Sequence, residues 1–202
     1  GGSRPQLGDV VFADRNNDGK ISDEDMTYLG SATPDLTGGL NISLGYKNFD
    51  FTMFMNYSLG NEIVNSMYQS LYSTDMFETN ISRDMALNHW SPENPASNLP
   101  RLSATDSNKN STTFSDLMVE DGSFLRIKQI QLGYTLPKAW TLKAGVKSVR
   151  VYGSVDNLYT FTSYSGLDPE VFGLYGNPLY YGVDMINYPQ PRTFSFGLNV
   201  IF

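Results

Sequence analysis

The sequence predicts an all-β protein, one part of an antiparallel, up-and-down transmembrane β-barrel with long outer loops that carry short helices. Three observations predict this fold class. Apolar residues recur at every second position in five separate stretches. The connections between those stretches are alternately short and long. Aromatic residues make up 13% of the chain, while charged residues make up only 17%, against the usual ~25%.

The clearest alternation lies in the last eleven residues, 192–202. Its apolar face consists of Phe194, Phe196, Leu198, Val200 and Phe202. Taken alone, this stretch fits a strand of a soluble sandwich as well as a tilted membrane strand of about ten residues. The other four strands are predicted near residues 37–47, 49–59, 123–136 and 149–159.

The third predicted strand has an irregular pattern. Ile130, Leu132 and Tyr134 define its apolar face, and Phe124 is expected to share that face. Arg126 and Lys128 would then interrupt it near the start of the strand.

The connections favour the membrane barrel over the sandwich. Two are short, at Lys47-Asn48 and at 138–147, and two are long, at 60–121 and 160–191. Barrels of this kind alternate short periplasmic turns with long extracellular loops, whereas a sandwich has no need to. The long loops are therefore expected outside and Phe202 at the periplasmic side.

The first long loop is expected to have structure of its own, with short helices near 62–72 and 81–90. Five strands cannot close a membrane barrel, because the smallest single-chain barrels have about eight. An open edge in lipid would leave unpaired backbone groups, each costing several kcal/mol. The chain is therefore expected to form part of a larger barrel.

Composition excludes several functions. The chain carries 14 Lys and Arg against 21 Asp and Glu, a net charge of −7, so nucleic acid is not an expected partner. Cysteine is absent, which excludes disulfides and thiolate chemistry. The single histidine, His89, has no catalytic motif around it, so the chain is not expected to be an enzyme.

Residues 14–25 have the spacing of an EF-hand-type calcium loop, within a segment 1–36 that is expected to be extracellular and to precede barrel residues 37–202. The predicted ligands, at loop positions 1, 3, 5, 7, 9 and 12, are Asp14, Asn16, Asp18, the Lys20 carbonyl, Ser22 and Asp25. Gly19 allows the tight turn that aims alternate side chains inward. A structural Ca²⁺ is predicted, although Asp25 replaces the usual Glu and an Asx-rich solvated turn is the alternative.

Five motifs, in this order, resemble the C-terminal barrel segment of the SusC/RagA-type TonB-dependent outer-membrane transporters of Bacteroidota. The motifs are Gly8–Ile21, Val119–Pro137, Val155–Thr162, Gly166–Glu170 and Tyr188–Phe194. The resemblance extends over nearly the whole chain.

The resemblance implies a barrel of about 22 strands filled by an N-terminal plug. It also implies import of oligosaccharides or peptides through the outer membrane of a Gram-negative bacterium, with a SusD-like surface lipoprotein as a lid. Energy would come from TonB, acting on an N-terminal box that these 202 residues do not contain. The strand 192–202 would then close the barrel against its first strand, and Phe202 would be the signal for the assembly machinery.

Tyrosines in the second long loop are candidates to stack on the substrate, because a tyrosine ring has an apolar body and a polar tip. The candidates are Tyr164, Tyr175, Tyr180 and Tyr181. An aromatic belt or packing within the loop is the competing role. The alternative to a transporter is a soluble extracellular calcium-binding β module for carbohydrate binding or adhesion, which explains the acidic loop but not the alternating connections.

Overall fold

The computed structural model describes residues 5–73, 80–171, 173 and 177–202. The chain divides into two compact units. The sheet unit comprises Ser31–Glu62, Asp121–Val171 and Asn187–Phe202, and the loop unit comprises Gly1–Gly30, Ile63–Glu120 and Phe172–Ile186.

Five long strands form one antiparallel sheet. In chain order the strands are β1 (Leu36–Tyr46), β2 (Phe49–Leu59), β3 (Glu62–Asn65), β4 (Val119–Asp121), β5 (Phe124–Thr135), β6 (Ser148–Thr162), β7 (Val183–Asp184) and β8 (Thr193–Ile201). The long ones lie in the order β1-β2-β5-β6-β8, and every neighbouring pair is antiparallel. This open, up-and-down sheet confirms the predicted fold class.

The two short connections have different structures. Tyr46 pairs with Phe49, so only Lys47 and Asn48 form the turn between β1 and β2. Lys47 has a φ of 55°, as tight two-residue hairpin turns require. Between β5 and β6, Pro137 precedes the short helix α3 (Lys138–Thr141), and one further 3-10 turn follows at Leu142–Ala144.

A β-bulge interrupts β5. Ile127 pairs with Met55 and Gln129 with Phe54, which leaves Lys128 as an extra residue against β2. One extra residue inverts the alternation of all residues beyond it. The expectation that Phe124 and Arg126 share the face of Ile130 was therefore wrong, and both lie on the opposite face.

The loop unit contains α1 (Ser66–Tyr72) and α2 (Arg83–Asn88). The helix expected over 62–72 was wrong at its start, because residues 62–65 form β3, which pairs in parallel with β7. The helix begins only after Asn65, whose side chain accepts a hydrogen bond from the N–H of Tyr68. In the described part of the chain, no helix is long and apolar enough to cross a membrane.

Candidate functional site

One face of the five-stranded sheet is apolar across all five strands. Directly opposed residues of antiparallel strands share a face, and Leu44, Phe51, Leu132 and Gly153 form one such row with Phe196. Phe196 is 88% exposed, and Leu44 is 62% exposed. The predicted apolar residues of the last strand, Phe194, Phe196, Leu198, Val200 and Phe202, are all exposed. A broad exposed apolar face is the surface that a bilayer would cover.

The opposite face is polar. One row across it contains Ser43, Thr52, Gln131, Ser154 and Ser195. Each strand therefore alternates between the two faces, as a membrane barrel with a polar interior requires.

An ion pair on this polar face crosses a strand. Asp50 on β2 and Arg150 on β6 reach over Gly133 of β5, and Arg150 Nε donates to Asp50 Oδ1 at 2.9 Å. A Cβ on Gly133 would come within 2.5 Å of Asp50 Oδ1, so the pair requires glycine at this position. The Arg150 guanidinium also lies 5.0 Å from the centre of the Tyr152 ring.

A second and larger polar cluster lies at the other end of the same face. Arg126, only 2% exposed, donates from Nε to Thr160 Oγ1 at 2.8 Å and from Nη1 to Glu170 Oε2 at 2.9 Å, while Nη2 donates to Asp168. Lys128 Nζ lies 3.1 Å from Glu170 Oε2. We call these five residues the Arg126 cluster. The charges of two cations and two carboxylates thus compensate each other, because an unpaired charge would be costly at a buried position.

Asp168 joins three parts of the sheet unit. Besides the Arg126 contact, its Oδ1 accepts from the N–H of Glu170 at 2.9 Å and its Oδ2 from the N–H of Gln190 at 3.2 Å. Burial raises the pKa of the Asp168 carboxyl, but the hydrogen bonds from Arg126 and from the two backbone N–H groups outweigh it, so the pKa lies below its ordinary value. The carboxylate form is therefore the one that this arrangement stabilises.

In the loop unit, a buried aspartate fixes the segment that precedes the calcium-type loop. Asp9 Oδ1 accepts from Arg101 Nε at 2.7 Å and from Asn110 Nδ2 at 3.0 Å, and Oδ2 accepts from the Gln6 N–H at 2.7 Å. These bonds lower the pKa of Asp9 in spite of its burial, which raises it. The neighbouring Gly8 has a φ of 85°, and a Cβ there would overlap the Trp90 ring.

Residues 14–25 fold into a tight loop held by their own side chains. Asp14 accepts from the N–H groups of Asp18 and Gly19 at 3.2 and 2.8 Å, and Asp18 Oδ1 accepts from the N–H of Lys20 at 2.8 Å. The Asn16 Oδ1 also accepts from the Asp18 N–H, at 2.9 Å.

The end of this loop is held by Asp25. Its two carboxylate oxygens accept from the N–H groups of Arg15 and Ser22, both at 2.8 Å, and these bonds lower its pKa. Among the described residues, no group of three or more His, Asp or Glu side chains converges closely enough to hold a metal ion. The calcium site therefore stays a prediction.

The four tyrosines predicted to stack on the substrate have different environments. Tyr164 is only 6% exposed, and its ring lies against Gly166 within the loop. Tyr180 and Tyr181 are 44% and 47% exposed. Tyr175 lies outside the described residues.

The chain is similar to known proteins in both sequence and structure. No family model matches the chain. The chain is 39% identical over 199 residues to TonB-dependent receptor P3 of Formosa agariphila, covering 96% of this chain and 19% of that protein. It is 30% identical over 194 residues to TonB-dependent receptor SusC of Bacteroides thetaiotaomicron, covering 95% and 17%.

Solved structures agree with the sequence comparison. The structure of the RagAB peptide importer in its closed-closed state matches with a TM-score of 0.73 and 26% identity, over 91% of this chain and 19% of that one. The RagAB peptide importer in its open-open state matches with a TM-score of 0.69. The chain thus spans about a fifth of the length of the proteins that it matches.

A sheet with one apolar and one polar face, matched to these proteins along its length, is a segment of the transmembrane β-barrel of a TonB-dependent receptor. The chain belongs to the SusC/RagA-type family of these receptors, as its motifs predicted. The relatives named above are receptors and importers.

Proposed function

We propose that this chain is a wall segment of an outer-membrane importer that takes up oligosaccharides or peptides, powered by TonB through a part of the receptor that these residues do not include. The division of one sheet into an apolar and a polar face supports this proposal. The apolar face lies against lipid, and the polar face lines the interior that holds the plug. The edges of β1 and β8 pair with the remainder of the barrel, since neither is paired on its outer side among the described residues.

Uptake by the full-length receptor tests this function. Cells that carry the receptor are offered labelled oligosaccharide and peptide mixtures, with a receptor-deleted strain as the control. We expect receptor-dependent uptake of one of the two classes, lost when a protonophore removes the energy that TonB transmits. Uptake of neither class, or uptake that survives the protonophore, would refute the proposal.

The proposed partner is a SusD-like lipoprotein that covers the outer mouth. The membership of the chain in the SusC/RagA-type family supports this partner. Purification of the full-length receptor from detergent-solubilised outer membranes is expected to recover one surface lipoprotein in equal amount. A receptor that is purified alone, and whose uptake needs no second protein, would contradict the partner.

Tyr180 and Tyr181 are proposed to contact the substrate, because both rings are partly exposed on the second outer loop. A stacked ring contributes about 1 kcal/mol, so the double substitution to alanine is expected to cost about 2 kcal/mol and to raise the KM of uptake by about 30-fold. Tyr28→Ala is the control, since Tyr28 is 80% exposed and lies outside the second outer loop. Equal effects of the double variant and the control would end the stacking proposal.

The loop 14–25 is proposed to bind a structural Ca²⁺, because its side chains follow the spacing of calcium ligands around a glycine turn. Calorimetric titration of the full-length receptor with Ca²⁺ is expected to give heat that Asp14→Ala removes. Asp23→Ala is the control, because Asp23 lies in the loop but outside the ligand positions. Equal heats for the parent and Asp14→Ala would show that the loop does not bind Ca²⁺ at this site.

A further inference from the structure

Charged residues on the wall of a membrane barrel are costly, so the buried Arg126 requires an explanation. Its three donor nitrogens point to three different partners, Thr160, Asp168 and Glu170. Thr160 lies on the neighbouring strand β6, whereas the two carboxylates lie after that strand has ended. The guanidinium therefore joins the wall to the loop that leaves it.

The loop that leaves β6 has two legs in the sheet unit, residues 163–171 and 187–191, which we call the stem. Asp168 lies on the outgoing leg, and the N–H that its Oδ2 accepts belongs to Gln190 on the returning leg. Asn157 supports the returning leg from the wall, because its Nδ2 donates to the Pro191 carbonyl at 3.1 Å. Wall, outgoing leg and returning leg thus meet at one carboxylate that Arg126 holds.

Apolar side chains are buried beside Arg126 and within the stem. The buried apolar side chains described for the sheet unit are Phe124, Tyr164 and Val171. The Arg126 guanidinium lies 5.6 Å from the centre of the Phe124 ring, and the other two belong to the stem. The Arg126 cluster is therefore the packed base of the second outer loop.

Two separate sequence motifs supply this base. Arg126 comes from the motif that forms β5, and the two carboxylates come from Gly166-Leu-Asp-Pro-Glu170. The β-bulge at Lys128 places Arg126 on the polar face, where it reaches both acids. Arg126 is far along the chain from Asp168 and Glu170, so their contact is a tertiary one. It must form when the loop folds onto the sheet.

We propose that Arg126 is a positioning residue for import: through Asp168 it holds both legs of the second outer loop on the polar face of the wall. This inference rests on the proposed function, because the loop borders the substrate cavity only in an importer. Arg126 does not touch the substrate. Its removal releases the stem, and the loop then presents its substrate contacts less often, which weakens substrate binding rather than the translocation step.

Two backbone amides report on the stem directly, those of Glu170 and Gln190, because both donate to Asp168. In the full-length receptor, Arg126→Gln is expected to speed hydrogen exchange of these amides by about 100-fold, since it leaves the buried Asp168 carboxylate without its cation. The KM of uptake is expected to rise about tenfold while the maximal rate per receptor in the membrane changes less than twofold.

Three variants separate positioning from general destabilisation. Arg150→Gln removes an arginine from an ion pair on the same face and is expected to leave the two amides protected. Arg126→Lys keeps the charge but has one nitrogen for three partners, so it is not expected to restore protection. Asp168→Asn keeps the size of the side chain and is expected to give a milder loss, which keeps the test decisive if Arg126→Gln fails to assemble.

The outcomes are distinct. Unchanged exchange of the Glu170 and Gln190 amides in Arg126→Gln or Asp168→Asn would overturn the proposal, as would full protection in Arg126→Lys. Faster exchange with an unchanged KM would overturn the role in import. A parent receptor that imports nothing would refute the proposed function, yet the exchange measurement would still decide whether Arg126 holds the stem.

Discussion

The assignment of the two faces predicts opposite results for arginine at adjacent positions of β5. Ile130 lies on the apolar face between Met53 and Val155, and Gln131 lies on the polar face between Thr52 and Ser154. We expect Ile130→Arg to destabilise the folded receptor strongly and Gln131→Arg to have little effect.

The magnitude follows from the position of Ile130 along the strand. Its partner Met53 is the fifth residue of β2, which has 11 residues. At about 3.3 Å per residue, β2 is about 36 Å long, and a tilt of about 40° reduces its depth to about 28 Å, close to the apolar band of about 25 Å. Ile130 therefore lies near the middle of the bilayer, where arginine costs about 2–4 kcal/mol, or about 30- to 1000-fold in the folding equilibrium.

Guanidinium unfolding of the full-length receptor in phospholipid vesicles measures the effect, with equal m-values as the condition for comparing midpoints. The amount of folded receptor in outer membranes, read from its heat-dependent mobility in SDS gels, gives an independent measure. Equal costs for the two variants, or a larger cost for Gln131→Arg, would refute the assignment of the faces.

Two further predictions concern glycine and pH. The methyl group of Gly133→Ala would separate the partly exposed Asp50–Arg150 pair, whereas nothing lies within 4 Å of a Cβ on the control position Gly45. The unfolding free energy of Gly133→Ala is therefore expected to be about 1 kcal/mol below that of Gly45→Ala. Equal values would show that the ion pair does not contribute to stability. The pKa of Asp9 is lowered in the folded state, so its contribution to stability is full above its ordinary value of 3.8 and is lost as the pH falls through the folded pKa. The rate of hydrogen exchange in the segment around Asp9, corrected for the intrinsic rate, is expected to rise over that acid range in the parent. Asp9→Asn is expected to abolish this acid dependence. A parent whose exchange rate does not rise would show that ionised Asp9 does not stabilise the segment.

The five long strands could be predicted from the sequence because each has a local signal. The alternation of Phe194, Phe196 and Leu198 depends on no other part of the chain, and the two-residue turn at Lys47 fixes the register of β1 and β2. The short strands β3 and β7 had no such signal. These two strands have only 4 and 2 residues, too few to show an alternation. They pair with each other across more than a hundred residues, and Ile63-Val64 fits a helix pattern equally well.

The Arg126 cluster could not be predicted from spacing, because its acids follow 42 and 44 residues after the arginine. A physical signal was nevertheless present. Arg126 and Lys128 stand in an otherwise apolar alternation, and charges in a membrane wall need partners. For the tyrosines, the sequence identifies candidate residues but not their environments. Tyr164 can be recognised as an aromatic loop residue, but its burial against Gly166 is known only from the fold.

The β-bulge in β5 follows from the amino acids themselves. Leu125 and Ile127 are apolar at odd positions, whereas Ile130 and Leu132 are apolar at even ones. A regular strand would turn one of these pairs away from lipid and would place Arg126 on the lipid face. One extra residue between the two pairs places both of them on the apolar face. Leu125 and Ile127 then lie opposite Tyr57 and Met55 on that face. The same change of parity turns Arg126 inward, so the bulge that keeps the lipid face apolar also places Arg126 where it holds the loop.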